Sequence, residues 1–397
     1  MAKKDATKPT RRPKDRRTTI EMVAAELFAE KGYAGTGVGE IAERVGVTPG
    51  AIYRHFSSKD DILRSIVTSS LDAFIAAIEV PDDAGTESRL TEQVRTAVTL
   101  TLAQPARVAI ALRERYSLTE AARHELAAKG RHLAGVWEDA IRNANPTVSA
   151  TEAALRLRLV NGILSSLAQR PGSRQAAREH ELFTSALVAM LLAPADSSPT
   201  CAEPVRRAEW SPPRLRRREI RDISAKLFRM YGYHGVGMDE IGTTAGISGP
   251  TVYGTYASKS DILVDACDYA VARLGLAVEE AIGSATSADD ALRRILRSCT
   301  ATVFDNADII AVLNRETDAL PDVDRLRINR HRSDYYNACY AVLREVRPDL
   351  DEREAGMLFV ALGNGIQEVA LARHPRPTVD AVGDLGMTFL RGEQPSP

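Results

Sequence analysis

A gapless repeat constrains this chain more than any other feature: residues 17–63 recur at 217–263, with 18 of the 47 positions identical. The shared positions include Arg17/Arg217, Leu27-Phe28/Leu227-Phe228, Gly32-Tyr33/Gly232-Tyr233, Glu40-Ile41/Glu240-Ile241, Tyr53/Tyr253 and Ser58-Lys59/Ser258-Lys259. Downstream the echo is fainter, with Arg113-Glu114 matching Arg315-Glu316 and Asn161-Gly162-Ile163 matching Asn364-Gly365-Ile366. The chain is therefore an internal duplication with a period of roughly 200 residues, and each half is built on the same scaffold.

Within the first copy, Ile20, Val23, Ala24, Leu27 and Phe28 recur at helical spacing, and Thr18 with Glu21 offers a capping box. Lys31-Gly32 ends that helix, Thr36 caps a second from Val38 to Val45, and Gly46 stops it. Thr48 caps a third helix with Pro49 at its first position, where the missing amide hydrogen costs nothing. This third helix is expected to carry Ala51, Ile52, Tyr53, Arg54 and His55, and Ser58 with Asp61 opens a longer fourth. Two short helices around a glycine turn, braced on both sides, form a helix-turn-helix pattern.

The remaining sequence reads as helix. Pro105, Asn145-Pro146 and Pro171-Gly172 separate segments near 87–103, 106–115, 119–143, 150–169 and 174–192. The expected organisation is a basic arm over 1–15, a helix-turn-helix domain over 16–62 and a helical domain over 63–193. A Pro- and Ser-rich linker over 194–213 leads to a second helix-turn-helix domain over 214–262 and a second helical domain over 263–393. The fold class is all-α. The net charge of −1 conceals eight Lys/Arg against two Asp in residues 1–20, and a second run of Arg214, Arg216, Arg217, Arg218 and Arg221. Basic runs beside helical modules suit a polyanion, because neutralised phosphates release counterions. Cys201, Cys267, Cys299 and Cys339 have neither disulfide-framework nor zinc spacing, and read as buried small residues. No secretory signal and no apolar run near the ~20 residues of a membrane span stand out, so no membrane partner and a cytoplasmic location are expected.

The run from Phe28, Gly32 and Tyr33 through Ile41-Ala42, Gly46-Val47 and Gly50 to Phe56, then Ser58-Lys59, resembles the TetR-type transcriptional regulators. The resemblance implies an all-helical subunit whose first three helices bind operator DNA and whose last two form a four-helix dimer interface. It further implies repression of transcription, released by a small molecule. With two such subunits fused, the chain resembles a covalent pseudo-dimer on a double-stranded, asymmetric pseudo-palindromic operator. Pairing within one chain and pairing between two chains both remain open. Matched to the motif, Thr48, Pro49, Gly50, Ala51, Tyr53, Arg54 and His55 fall on the turn and recognition helix, and Thr36 and Lys59 flank it. Small residues at a recognition-helix start allow close groove approach, and an arginine fork suits guanine or phosphate. The second copy offers Ser248, Thr251, Tyr253 and Lys259, but Gly254 and Thr255 replace Arg54 and His55, removing the charge from its recognition helix. An apolar or amphipathic effector is expected among the later helices, with Arg113, Tyr116, Trp137 and Asn161 as candidate linings in the first half. Arg315, Tyr335, Tyr336 and Asn364 are the candidate linings in the second. Asn161-Gly162 and Asn364-Gly365 are read as interface. No cofactor or metal is called for, and no P-loop, G-x-G-x-x-G, HExxH or GxSxG motif points to an enzyme. A constitutive DNA-organising protein without an effector is the alternative.

Overall fold

The computed structural model describes residues 13–78, 85–113, 118–169, 176–195, 216–372 and 377–392. The first half comprises α1 (Pro13–Gly35), α2 (Val38–Val45), α3 (Pro49–Ile52), α4 (Lys59–Ile78), α5 (Thr86–Ala103), α6 (Pro105–Arg113), α7 (Glu120–Ala144), α8 (Ala150–Ala168) and α9 (Ala176–Leu192). The second comprises α10 (Arg216–Tyr231), α11 (Met238–Ala245), α12 (Gly249–Tyr253), α13 (Lys259–Gly283), α14 (Ala288–Asp305), α15 (Ala307–Arg315), α16 (Asp322–Val346), α17 (Glu352–Leu371) and α18 (Val379–Arg391).

Local chemistry sets many of these boundaries. Thr119, Ser149, Ser287 and Thr378 each accept an amide hydrogen from the first turn they precede. Ser258 and Asp351 form reciprocal capping boxes with Asp261 and Glu354. Each such cap satisfies an amide that the helix itself leaves unpaired, worth about 1 kcal/mol. The first helix departs from the sequence reading. It begins at Pro13, so Thr18 and Glu21 lie inside it and form no cap. Glu21 is buried and instead accepts a hydrogen bond from Ser65 Oγ. The basic arm before Pro13 and the linker after Ala195 lie outside the described residues.

The halves pair with each other inside this one chain. Helix α8 lies along α17, and α9 along α18, so the four build a single bundle. The helices approach closely at Gly162 and Gly365. A β-carbon on Gly162 would stand 2.5 Å from the Asn364 carbonyl oxygen and 2.6 Å from Gly365 Cα. Between α9 and α18, Phe183 and Phe389 meet with their ring centroids 6.5 Å apart. Polar contacts fix the register: Arg178 donates to the Glu354 carboxylate and, at 3.2 Å, to the Asp349 carbonyl, while Arg353 donates to Glu179.

The Arg178 guanidinium holds the Glu354 carboxyl below the usual carboxylate range. A depressed folded-state pKa contributes stability that is complete above the ordinary glutamate value of 4.5 and lost as the pH falls through the lower folded value. We expect acid titration monitored by tryptophan fluorescence to loosen the bundle only below that range. In Arg178→Ala the acid limb should move toward neutral pH. An unmoved limb would show that this pair does not set the interface.

Candidate nucleic-acid interface and ligand cavity

The first module is assembled around Gly46. Its left-handed conformation (φ 76) turns the chain between α2 and α3, and the amides of Gly46 and Val47 return to the carbonyls of Glu43 and Ala42. Ile41, Ile52 and Phe56 are buried at 1% exposure or less and hold the two short helices on α1. Arg17 locks the far end, donating to the His55 carbonyl at 2.7 Å while its guanidinium covers the Phe56 ring at 4.1 Å.

The third helix is shorter than the sequence suggested. It ends at Ile52, with Tyr53 as its C-cap, and Arg54 and His55 continue as hydrogen-bonded turn. What it presents is still one face. Thr48, Pro49, Gly50, Tyr53 and Arg54 are exposed, Tyr53 at 56%, and Ala51 and His55 are half-buried. Arg54 makes no hydrogen bond or ion pair among the described residues. Nearby arginines are engaged: Arg17 with His55 and Phe56, and Arg44 with Glu30 at 3.4 Å. An unpaired guanidinium beside an exposed tyrosine and a small-residue helix start is chemistry suited to phosphate oxygens and guanine edges.

Two of the expected contact residues are engaged within the fold. Thr36 is 1% exposed and does not cap α2, whose N-cap is Gly37; its hydroxyl donates to the carbonyls of Gly32 (3.0 Å) and Leu27 (3.2 Å). Lys59 is likewise turned inward. Its ammonium donates to the carbonyls of Tyr33 (2.9 Å) and Thr36 (3.1 Å) and lies 4.4 Å from the Tyr33 ring centroid. Lys259 repeats this with Tyr233 and Val236, both at 2.8 Å, and with the Tyr233 ring at 4.4 Å. These lysines are identical in the two copies because they tie the broken end of the first helix to the fourth. We expect Lys59→Met and Lys259→Met each to cost about 2 kcal/mol in urea unfolding, the scale of lost charge-assisted hydrogen bonds. Unchanged stability with weakened DNA binding would instead make Lys59 a phosphate contact.

The second module keeps the frame, with Gly254 and Thr255 in place of Arg54 and His55. Gly246 turns it at φ 65, and Tyr253 is exposed at 54%, as its counterpart Tyr53 is. The hydroxyls of Ser248 and Thr251 lie 2.8 Å apart and satisfy each other, and Thr255 donates to the Thr251 carbonyl. Three arginines of the basic run before it are engaged within the fold. Arg217 pairs with Asp265 at 2.9 Å, Arg218 with Asp222 at 3.4 Å, and Arg221 is buried over the Tyr269 ring. Arg214 lies outside the described residues.

A cavity of about 320 Å³ opens in the first half between α4, α6, α7 and α8. Trp137 and Asn161 line it, so Asn161 belongs to the cavity, whereas Gly162 beside it belongs to the interface. Of the other first-half candidates, the Arg113 side chain and the whole of Tyr116 lie outside the described residues. The walls are mostly apolar, with Phe74, Leu126, Leu157 and Leu164 among them, and its volume falls at the small end for ligand sites. Arg123, exposed and on the lining, is a charged group the sequence reading missed; nothing in its spacing marks it out. In the second half, Tyr335 is buried and Arg315 and Tyr336 are half-buried, while Asn364 donates to Ser166 across the interface at 3.3 Å. Cys267 and Cys339 are buried as expected, and burial pushes the Cys267 thiol up to about 12, leaving it inert.

Comparison with known proteins bears on the modules. The family model of bacterial regulatory proteins of the tetR family matches residues 22–66 and 220–266. The transcriptional regulator TcmR of Streptomyces glaucescens is 42% identical over 72 residues, covering 18% of this chain and 32% of its own length. The transcriptional activator FasR of Mycolicibacterium smegmatis is 33% identical over 89 residues, covering 22% and 40% respectively. The transcriptional repressor KstR2 of Rhodococcus jostii is 37% identical over 76 residues, covering 19% and 37%. The matches thus span between a third and two fifths of these relatives, the extent of a DNA-binding module with its flanks.

Proposed function

The chain carries the tetR-family DNA-binding domain twice, and from that premise we propose that it is a transcriptional regulator acting as a single-chain pseudo-dimer. The observation that carries this reading is the α8–α9–α17–α18 bundle, which pairs the two halves within one polypeptide. A two-module binder places its recognition helices in successive major grooves, about 34–36 Å apart, and the bundle is the element able to fix that spacing. The unequal surfaces support an unequal operator. The half facing α3 is read through Arg54, Tyr53 and the Thr48–Ala51 turn. The half facing α12 is held by Tyr253 and amide contacts with little base discrimination. The relatives include both an activator and a repressor, so neither sign of regulation is favoured by likeness.

The first-half cavity supports a small, mainly apolar effector with one polar end toward Arg123 or Asn161. Ligand and DNA would be coupled reciprocally, since any effector that weakens operator binding is itself bound less tightly on the operator.

Selection of bound duplexes from a random pool tests the proposal. We expect enrichment of a site with one strongly specified half and one weakly specified half at fixed spacing. Retention of all sequences alike would replace this reading with that of a constitutive DNA-organising protein.

A further inference from the structure

We infer that only the first half of the chain takes a ligand, so that one amphipathic small molecule binds per chain and acts on the α1–α4 module alone. The inference rests on the effector reading above and adds to it the asymmetry of the two halves.

Helices α7 and α16 are both 25 residues long and can be aligned end to end. Shared packing supports that register. Leu126 and Ile328 are both buried, as are Ile141 and Leu343, and the residue that follows each helix holds the end of a bundle helix. Asn145 donates to the carbonyls of Leu192 and Ala193, and Arg347 to those of Leu390 and Arg391. On this register the cavity-lining Gly130, Leu133 and Ala134 correspond to Arg332, Tyr335 and Tyr336. Three small or aliphatic side chains are thus exchanged for three large ones with polar ends. Cys339 stands where Trp137 does and is smaller, with the tyrosine pair one helical turn before it. Tyr335 is 9% exposed and meets Tyr336 at 4.7 Å between centroids, and Tyr336 stacks on Tyr340 at 5.7 Å. The Tyr340 ring in turn leans on α17, where a β-carbon on Gly356 would come within 3.2 Å of it.

The opposite wall changes in the same sense. Leu112 and Leu164 line the first cavity, and their counterparts are Asn314 and Gln367. Asn314 donates to Gln367 at 2.6 Å, joining α15 to α17 where the first half has two leucines. The apolar cores agree. In the second half, module residues such as Phe228, Ile241 and Val252 belong to one continuous cluster with Leu343 and Leu358. In the first half the module forms a cluster of its own, around Phe28, Ile41, Ile52 and Leu126, apart from the one holding Trp137 and Leu164. The cavity lies along that seam, lined by Val67 and Leu126 from one side and by Trp137 and Leu164 from the other. A molecule seated there bridges the module bearing Arg54 to the bundle, whereas the second module is already welded to it.

The ligand class follows from the walls: an apolar body of about ten heavy atoms, from the volume each water-sized group requires, with an anionic or hydrogen-bonding end for Arg123. Octanoic acid, with about ten heavy atoms, is a suitable probe for the full-length protein, its binding followed by isothermal titration calorimetry. Titration should saturate at one probe per chain. Ala134→Phe or Gly130→Leu, which fill the cavity, should weaken binding at least tenfold at unchanged unfolding midpoint. Tyr336→Ala should leave the first site intact. Saturation at two probes per chain, or one probe retained in both filled variants and lost in Tyr336→Ala, would overturn the confinement to the first half. No saturable binding to the wild type would overturn the effector reading itself, and this inference with it.

Discussion

Replacing Gly162 with valine is expected to unseat the two halves of the chain and to produce the largest stability loss of any single change in the bundle. The position has no room on the facing side. A β-carbon would meet the Asn364 carbonyl oxygen at 2.5 Å and Gly365 Cα at 2.6 Å, and because both are backbone no rotamer change relieves the clash. Overpacking a core costs about 1–3 kcal/mol where side chains can adjust. Here the helices themselves must part, so a loss of about 3 kcal/mol or more is expected from a total stability of about 5–15 kcal/mol. The DNA-binding modules would then lose their fixed spacing, and affinity for a selected duplex should fall together with the unfolding midpoint. Gly363 serves as the control. It lies in α17 two residues before Gly365, and a β-carbon added there would meet nothing within 4 Å, so Gly363→Ala should be neutral or slightly stabilising. A wild-type midpoint for Gly162→Val would mean that α8 and α17 do not cross as described.

The second large effect is expected at Arg54. Loss of a well-placed arginine at a base edge costs about 1–3 kcal/mol, or roughly fivefold to more than a hundredfold in affinity. Arg54→Ala should show that loss in a fluorescence anisotropy titration against a selected duplex, with unchanged unfolding, since the side chain has no partner to lose among the described residues. Gly254→Ala and Thr255→Ala sit at the matching positions of the second module and should change affinity by no more than about twofold, a contribution that small corresponding to about 0.4 kcal/mol. A methyl at Gly254 meets only carbonyl oxygens at 3.5 and 3.6 Å, an ordinary contact, so the variant tests chemistry and not strain. Equal losses at Arg54 and at Gly254 or Thr255 would contradict the division of labour between the modules.

The duplication and the helical segments were legible because they rest on local signals: glycine stops, Ser/Thr/Asp caps and apolar spacing. The frame of the module was legible too, through Ile41, Gly46, Ile52 and Phe56. Roles that depend on direction were not. Lys59 in a basic, motif-bearing stretch reads as a phosphate contact, yet its ammonium is turned inward by two carbonyls and a tyrosine ring that come from 23 and 26 residues away. Thr36 is misread for the same reason, because a threonine before a helix signals a cap whether or not tertiary packing has already engaged its hydroxyl. The arginines before the second module read as a free basic run, yet Arg217 and Arg218 are paired with Asp265 and Asp222, which the sequence does not place beside them. The cavity was the least legible feature. Its walls are leucines and small residues indistinguishable from core, and its existence depends on Gly130 and Ala134 facing inward together, which only the register of α7 against α4 and α8 decides.

The central claim is that one polypeptide supplies both DNA-binding modules and the interface between them. Native mass spectrometry of the protein on a selected duplex tests it directly. The expected complex contains a single chain of 43.2 kDa, at the same stoichiometry from nanomolar to micromolar protein. A complex that holds two chains at every concentration would contradict the claim, because the halves would then pair between polypeptides and not within one.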